Sequence, residues 1–455
     1  MIEKKSISGY PLIINYLGIF SILIGLINLI PLVVIPFYPS EITEAKYFFI
    51  PALSAIFIGL LIVLAYKGRE KERLERSQDA ILVMAIWILA ILISSLPFIL
   101  TGDYNLTQAI FDSTSGYSTT GLTVVDVSVT PHIFLFFRSL LQFVGGVGLV
   151  LVLTSAISDK FGMRLYSAEG HNDKLVPNLI RSARMILSIY IGYIFVGSLF
   201  LILFGLTPFD AINHSITAVA TGGFSTQTLS IGSFDNVGVE ITIMVLMLLG
   251  GTNFFVHLML LRGKFKNVFK HVEIKFLGLL LLIFIPILTI NLISLYDGDF
   301  FHTLRIGTFQ FISAATGTGF QTIETFNIMP PTFISILIIV MVMGAGMGST
   351  AGGMKQYRVA LAFKSLYWNI SEQFGHKKTI RTHFINKIGN KTIVTKNEVV
   401  QNYSFLMIYL LALFTGALIF TGFGYTVKES LFEFSSALGT VGLSVGIIGY
   451  NANPV

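Results

Sequence analysis

The chain has 455 residues, 54% of them hydrophobic and only 12% charged, with a formal net charge of +6 and a mean hydropathy of +0.78. A soluble domain carries about 25% charged residues, so this composition excludes an ordinary soluble protein; the 40 phenylalanines fit a packed helical bundle in a membrane, and no segment alternates at period two for long enough to build a barrel. The absence of cysteine excludes disulfides and thiolate metal sites, and the eight histidines show no metal-ligand spacing.

In chain order, Lys4 and Lys5 precede an apolar segment over 11–37. It is too long for the apolar core of a signal peptide and lacks a cleavage pattern, so it reads as a retained first span. A second span covers 48–66, and 1–77 forms an N-terminal pair of helices. Lys67, Arg69, Lys71, Arg73 and Arg76 follow as a first basic cluster. Lys160, Arg164, Lys174, Arg181 and Arg184 form a second, and Arg262, Lys264, Lys266, Lys270 and Lys275 a third. Lys355, Arg358, Lys364, Lys377, Lys378, Arg381, Lys387, Lys391 and Lys396 form the fourth. Basic loops stay in the cytoplasm, which places the N-terminus and all four clusters on that side and requires an even number of crossings between them. Nucleic-acid binding is set aside, because the charges are split among short loops instead of forming one stripe.

An outward helix over 78–100 and an inward helix over 131–157 leave 101–130 to begin and end outside. Within it, 106–117 is moderately apolar but too short to span. A short helix that dips in and returns as an extended segment meets both demands. Irregular backbone at membrane depth is tolerated only when buried in protein or lining a water-filled path.

The same plan recurs. Ser118-Thr119-Thr120-Gly121-Leu122, Ala220-Thr221-Gly222-Gly223-Phe224, Thr316-Gly317-Thr318-Gly319-Phe320 and Gly439-Thr440-Val441-Gly442-Leu443 each follow a short amphipathic stretch. Aligned on Gly121, Gly223, Gly319 and Gly442, a polar residue stands nine positions earlier in every copy: Asp112, His214, Gln310 and Glu433. Such self-similarity is the mark of a repeated architecture; the other reading is four unrelated Gly-rich loops between bundle helices. The repeats divide as 78–176, 177–272, 273–398 and 399–455. Repeat one has helices over 78–100 and 131–157 around a pore helix 105–117 and filter 118–123. Repeat two has 177–205 and 236–261 around 208–219 and 220–225. Repeat three has 274–296 and 332–362 around 301–315 and 316–321, with a large cytoplasmic loop after it. Repeat four has 400–422, 427–438 and 439–444. The expected fold is therefore an all-α polytopic membrane protein with four such repeats around one pore.

The four filters, the glycine-rich second helix of repeat three and the extra N-terminal spans resemble the superfamily of Trk, Ktr and HKT potassium transporters, in its TrkH/TrkG-like branch. The resemblance covers the chain from Tyr10 onward. It implies a multi-pass protein of the cell membrane that translocates potassium and is no enzyme. It also implies a homodimer with one pore per chain, and a cytosolic TrkA-like ring of nucleotide-binding domains docked on the basic loops. No Walker A or G-x-G-x-x-G motif appears in a strand–helix context, so no cofactor is expected and potassium is cargo alone.

Carbonyls that replace a hydration shell need unusual dihedrals, which glycine permits. The expected cation-binding filter comprises Thr119, Thr120 and Gly121; Thr221, Gly222 and Gly223; Gly317, Thr318 and Gly319; and Thr440, Val441 and Gly442. In the family, glycine at the key position of all four repeats accompanies potassium permeation, and this chain has all four. The segment 344–353 holds five glycines in ten residues, each costing a helix about 1 kcal/mol against alanine. By the resemblance it is an intramembrane gate loop of Gly344, Gly346, Gly348, Ser349, Thr350, Gly352 and Gly353; close helix packing through small residues is the other reading. Asp112, Glu433 and Glu429 either add negative potential near the outer mouth or anchor the pore helices. Arg138 either pairs with Asp112 or snorkels outward, and the sequence favours snorkelling. Asn253 and His257 are expected to bond to neighbouring helices, and Lys355 and Arg358 to meet lipid headgroups or a cytosolic partner.

After Gly442 the inward helix of repeat four is absent from this chain, which reads as a fragment of a longer protein or as a defective copy; the intact first three repeats and fourth filter favour the fragment. A secondary transporter of another cation or small solute, built on discontinuous helices, is the competing function; four same-sense repeats oppose it.

Overall fold

The computed structural model describes residues 6–7, 9–67, 70–71, 76–154, 179–374, 382–387 and 390–449. Lys4, Lys5, Arg69, Arg73, Lys160, Arg164, Lys174, Lys377, Lys378 and Arg381 of the basic clusters lie outside the described residues. The helices are α1 (Gly9–Leu29), α2 (Ala45–Ala65), α3 (Arg76–Thr101), α4 (Leu106–Tyr117), α5 (His132–Thr154), α6 (Leu179–Leu203), α7 (Pro208–Val219) and α8 (Val237–Gly250). They continue as α9 (Phe254–Leu261), α10 (Phe265–Lys270), α11 (Val272–Leu292), α12 (Phe300–Thr316), α13 (Pro331–Met343), α14 (Gln356–Gln373), α15 (Lys396–Gly422) and α16 (Val427–Leu438). A hairpin of Phe384–Lys387 and Asn390–Ile393 separates α14 from α15.

By length and composition, six helical stretches among the described residues can cross a membrane: Gly9–Val34, Pro39–Ala65, Gln78–Thr101, Arg184–Leu203, Val272–Leu292 and Lys396–Gly422. The sequence reading of straight spans over 131–157 and 236–261 needs correction. Gly148, at φ 103°, interrupts α5, and its apolar part His132–Gly148 is shorter than a span. The second stretch breaks into α8 and α9, bent by 110°. Gly250 and Gly251 weaken the helix there, and the Asn253 side chain restarts it by accepting the Phe255 N–H at 2.9 Å.

The described chain forms two compact units, one within 1–118 and 123–192, the other of 119–122 with 193–449. In the first, α1 and α2 approach closely through small residues, as membrane helices do without a hydrophobic drive between them. A Cβ on Gly25 would lie 2.8 Å from the Ala52 carbonyl oxygen, and Ser21 Oγ donates to the Ala55 carbonyl at 2.8 Å. Phe48, Phe98, Phe134 and Phe137 fill this unit's core, with ring centroids 4.8 to 5.9 Å apart. A buried polar chain links Asn28, Ser94 and Tyr117 at 3.1 and 3.0 Å. In the second unit, α11 packs on α12, α15 on α16, and α13 on both α12 and α16. The outer face of α15 exposes Met407, Ile408, Leu411, Phe414 and Leu418, an apolar surface suited to lipid rather than water.

Candidate cation-binding ring and its loop

The short helices start on strong local signals. Asn105 and Thr426 form capping boxes with Gln108 and Glu429 at the starts of α4 and α16. Thr207 and Asp299 cap α7 and α12 by accepting the Asp210 and His302 N–H groups at 3.1 and 3.0 Å. In the second unit, α7, α12 and α16 all end in one kind of turn. The N–H groups of Gly222, Thr318 and Val441 reach back to the carbonyls of Thr217, Ser313 and Ser436 at 2.8, 3.0 and 2.8 Å. This six-to-one bond requires a left-handed residue just before the donor, usually glycine. Only Gly317 meets that preference, at φ 70°; Thr221 and Thr440 take φ 51° and 52°, and Thr119 in the first copy takes 55°. A β-branched residue in that region is a strained outlier held by its surroundings. Two residues further on, Gly121, Gly223, Gly319 and Gly442 return to positive φ, at 84°, 73°, 85° and 95°.

All four segments belong to the second unit and close on one another. A Cβ built on Gly121 would overlap the carbonyl oxygen of Gly222, and one on Gly223 that of Thr318. One on Gly319 would overlap the carbonyl oxygen of Val441, and one on Gly442 that of Thr120. Each glycine thus admits the carbonyl of the next copy, and the fourth returns to the first. Twelve residues far apart in sequence make a four-membered ring with no room for a methyl group at its four joints.

The polar residue nine positions before each glycine has a common task. In the second unit, His214 Nε2 bonds Ser225 Oγ at 2.8 Å, Gln310 Nε2 donates to Thr322 Oγ1 at 3.3 Å, and Ser444 Oγ donates to Glu433 Oε1 at 2.5 Å. In the first, Thr123 Oγ1 donates to Asp112 Oδ1 at 2.5 Å. Each bond ties the strand leaving the glycine to the short helix entering it. Anchoring is therefore the geometry of Asp112 and Glu433; Glu429 serves its own helix cap.

Arg138 does not snorkel. Its Nε donates to Asp112 Oδ2 at 3.0 Å, with both side chains 1% exposed. Removing one member of a buried pair strands the other charge, so Asp112→Ala is expected to lower stability by about 3–5 kcal/mol. Replacing both, as Asp112→Leu with Arg138→Leu, is expected to recover most of that loss in thermal unfolding of the detergent-solubilised protein.

The segment Gly344 to Gly353 is non-helical and lies against the ring. Thr350 Oγ1 sits 2.8 Å from Thr221 Oγ1 and 3.2 and 3.1 Å from the carbonyl oxygens of Val219 and Gly250. A Cβ on Gly317 would touch that of Ala351 at 3.4 Å, and one on Gly352 would lie 2.8 Å from the Gly439 carbonyl oxygen. Ser349 Oγ donates to the Gly346 carbonyl at 2.6 Å. The break between α8 and α9 holds the loop from below: the Gly346 N–H donates to the Gly251 carbonyl, Asn253 Nδ2 to the Met347 carbonyl, and the Phe254 N–H to the Gly348 carbonyl. The Met347 N–H donates to the buried Glu273 Oε1 at 2.7 Å. Sequence reading missed Glu273, and gave Asn253 to a helix rather than to this loop. Lys355 also departs from its expectation: its Nζ donates to the Ala351 carbonyl inside the loop. The Arg358 guanidinium stacks on Phe405, 3.5 Å from the ring centroid. His257 Nδ1 bonds the Tyr193 hydroxyl at 3.0 Å.

A helical protein with this many apolar spans among its described residues has the build of a multi-pass membrane protein. Residues 49–454 match the TrkH family of cation transport proteins. An uncharacterized cation transporter of Methanocaldococcus jannaschii is 31% identical over 98% of this chain and 90% of its own. The Trk system potassium uptake protein TrkG of Escherichia coli is 32% identical over 82% of this chain and 78% of its own. The crystal structure of the potassium transporter TrkH from Vibrio parahaemolyticus shares the fold, with a TM-score of 0.83 at 24% identity over 98% of this chain and 93% of that one. The chain belongs to the TrkH family of cation transport proteins.

Proposed function

We propose that the chain is the membrane subunit of a Trk-type potassium uptake system in the cell membrane. Four repeats, each bringing a helix and a re-entrant helix with its filter, surround its pore, and the N-terminus is cytoplasmic. The carbonyls of Thr119, Thr120, Gly121, Thr221, Gly222, Gly223, Gly317, Thr318, Gly319, Thr440, Val441 and Gly442 replace the water of a potassium ion. The observation that carries this reading is the closed ring, in which each glycine accommodates the carbonyl of the next segment. Helices α7, α12 and α16 lead into the ring at their C-terminal ends, where the helix dipole favours a cation. The relatives named for potassium uptake support potassium as the cargo. The loop from Gly344 to Gly353 gates the path beneath the ring. The working assembly is a homodimer with a TrkA-like nucleotide-binding ring on its basic cytoplasmic loops.

Rubidium and potassium flux into liposomes carrying the full chain, with and without a nucleotide-binding partner, tests the proposal. Selective uptake that excess sodium does not suppress is expected. Absence of selective flux under both conditions overturns it.

A further inference from the structure

A groove of about 580 Å³ runs between α11 and α14, within the range of ligand pockets, ~300–1,000 Å³. Its lining is of two chemical kinds. Phe276, Ile283 and Phe363, with Met343 at the end of α13, supply apolar surface. Lys270 from α10, Lys275 from the first turn of α11 and Lys364 from α14 supply positive charge. The third and fourth basic clusters of the sequence therefore meet here.

Among the described residues, these ammonium groups form no ion pair with a carboxylate. The groove lining includes no carboxylate. Among the described residues, the carboxylates of this unit that form ion pairs engage Arg305, Lys387, His271 and His383 instead. Partial burial, and then the charge of Lys275, hold the Lys364 ammonium below the usual lysine range. The apolar wall is itself open to the outside, since Ile283 and Phe363 are exposed and α11 is apolar enough to span a membrane.

We propose that this groove binds one anionic phospholipid, its acyl chain along Phe276, Ile283 and Phe363 and its phosphate among Lys270, Lys275 and Lys364. A soluble anion would gain nothing from the apolar wall, and a zwitterionic lipid would leave the lysines uncompensated. Basic pockets between membrane helices commonly hold acidic headgroups in this way. The site does not depend on the ring or on the identity of the cargo. Its walls lead toward the Gly-rich loop in sequence, because Met343 immediately precedes Gly344 and α14 begins at Gln356, soon after Gly353.

Native mass spectrometry of the delipidated full chain, titrated with phosphatidylglycerol or with phosphatidylcholine of the same acyl chains, tests the site. Phosphatidylglycerol is expected to bind in preference, and Lys275→Gln with Lys364→Gln to weaken it by about fivefold per lysine. Ile283→Trp fills the groove without altering charge and is expected to abolish binding of the lipid. Equal binding of the two lipids, unchanged phosphatidylglycerol binding in either variant, or full competition by free glycerophosphate overturns the proposal. Lys275 and Lys364 stand at the surface, only partly covered, and among the described residues form no ion pair, so their replacement leaves the fold in place.

Discussion

Gly319→Ala is expected to abolish selective rubidium influx, whereas Gly317→Ala, two residues earlier in the same segment, is expected to retain most of it. Both glycines have positive φ, at 85° and 70°, so backbone preference alone predicts similar damage. Their surroundings differ. A Cβ on Gly319 would overlap the Val441 carbonyl oxygen and lie 3.0 Å from the Gly442 Cα, and neither backbone atom can swing aside as a side chain could. The ring would have to open at that joint. A Cβ on Gly317 meets Ala351 Cβ at 3.4 Å and the Thr440 and Gly439 carbonyl oxygens at 3.7 and 3.8 Å, which are ordinary contacts. Its remaining cost is the left-handed conformation, about 1–2 kcal/mol, which Thr119, Thr221 and Thr440 already bear at the matching positions. Influx into vesicles, measured beside thermal stability, separates the two variants. Equal loss at both positions would mean that glycine flexibility, and not the close packing of carbonyls, limits function.

The same contrast explains how far the residues could be read in sequence. The bounds of α7 follow local pattern, and the caps at Asn105, Thr207, Asp299 and Thr426 rest on bonds spanning only three residues, yet the caps went unread. The polar residue nine positions before each glycine was read, but the hydroxyls of Thr123, Ser225, Thr322 and Ser444 just after the glycine were not singled out. Their pairing was missed because it requires the chain to reverse at the glycine. Glu273 is 74 residues from Met347 and Asn253 is 94; nothing local in either residue marks a loop as its partner. Asn253 gave one usable sign, since Gly250-Gly251-Thr252-Asn253 is a helix stop followed by a cap. Arg138 was misjudged because depth within an apolar segment was weighed without knowing which face α5 turns toward Asp112.

Thr350→Val and Gly352→Ala are expected to raise rubidium influx while leaving the preference for potassium over sodium intact. Thr350 Oγ1 joins the loop to Thr221 Oγ1 and to the carbonyls of Val219 and Gly250. Valine keeps the volume but leaves these buried groups short of a partner, a penalty of about 1–3 kcal/mol against the seated loop. At about 1.4 kcal/mol per tenfold, the middle of that range shifts the seated-to-released ratio about thirtyfold. Gly352→Ala acts more strongly, because its Cβ would stand 2.8 Å from the Gly439 carbonyl oxygen and overlap Thr440 Oγ1. The seated loop cannot accept that side chain without moving off the ring. Neither substitution changes a residue of the ring itself, so a loop that obstructs the path should pass more ions with unchanged discrimination. A loop that merely packs helices predicts the opposite pairing, with influx and thermal stability falling together. Sodium competition measured on both variants distinguishes release of a gate from damage to the ring, because only the latter lets sodium compete.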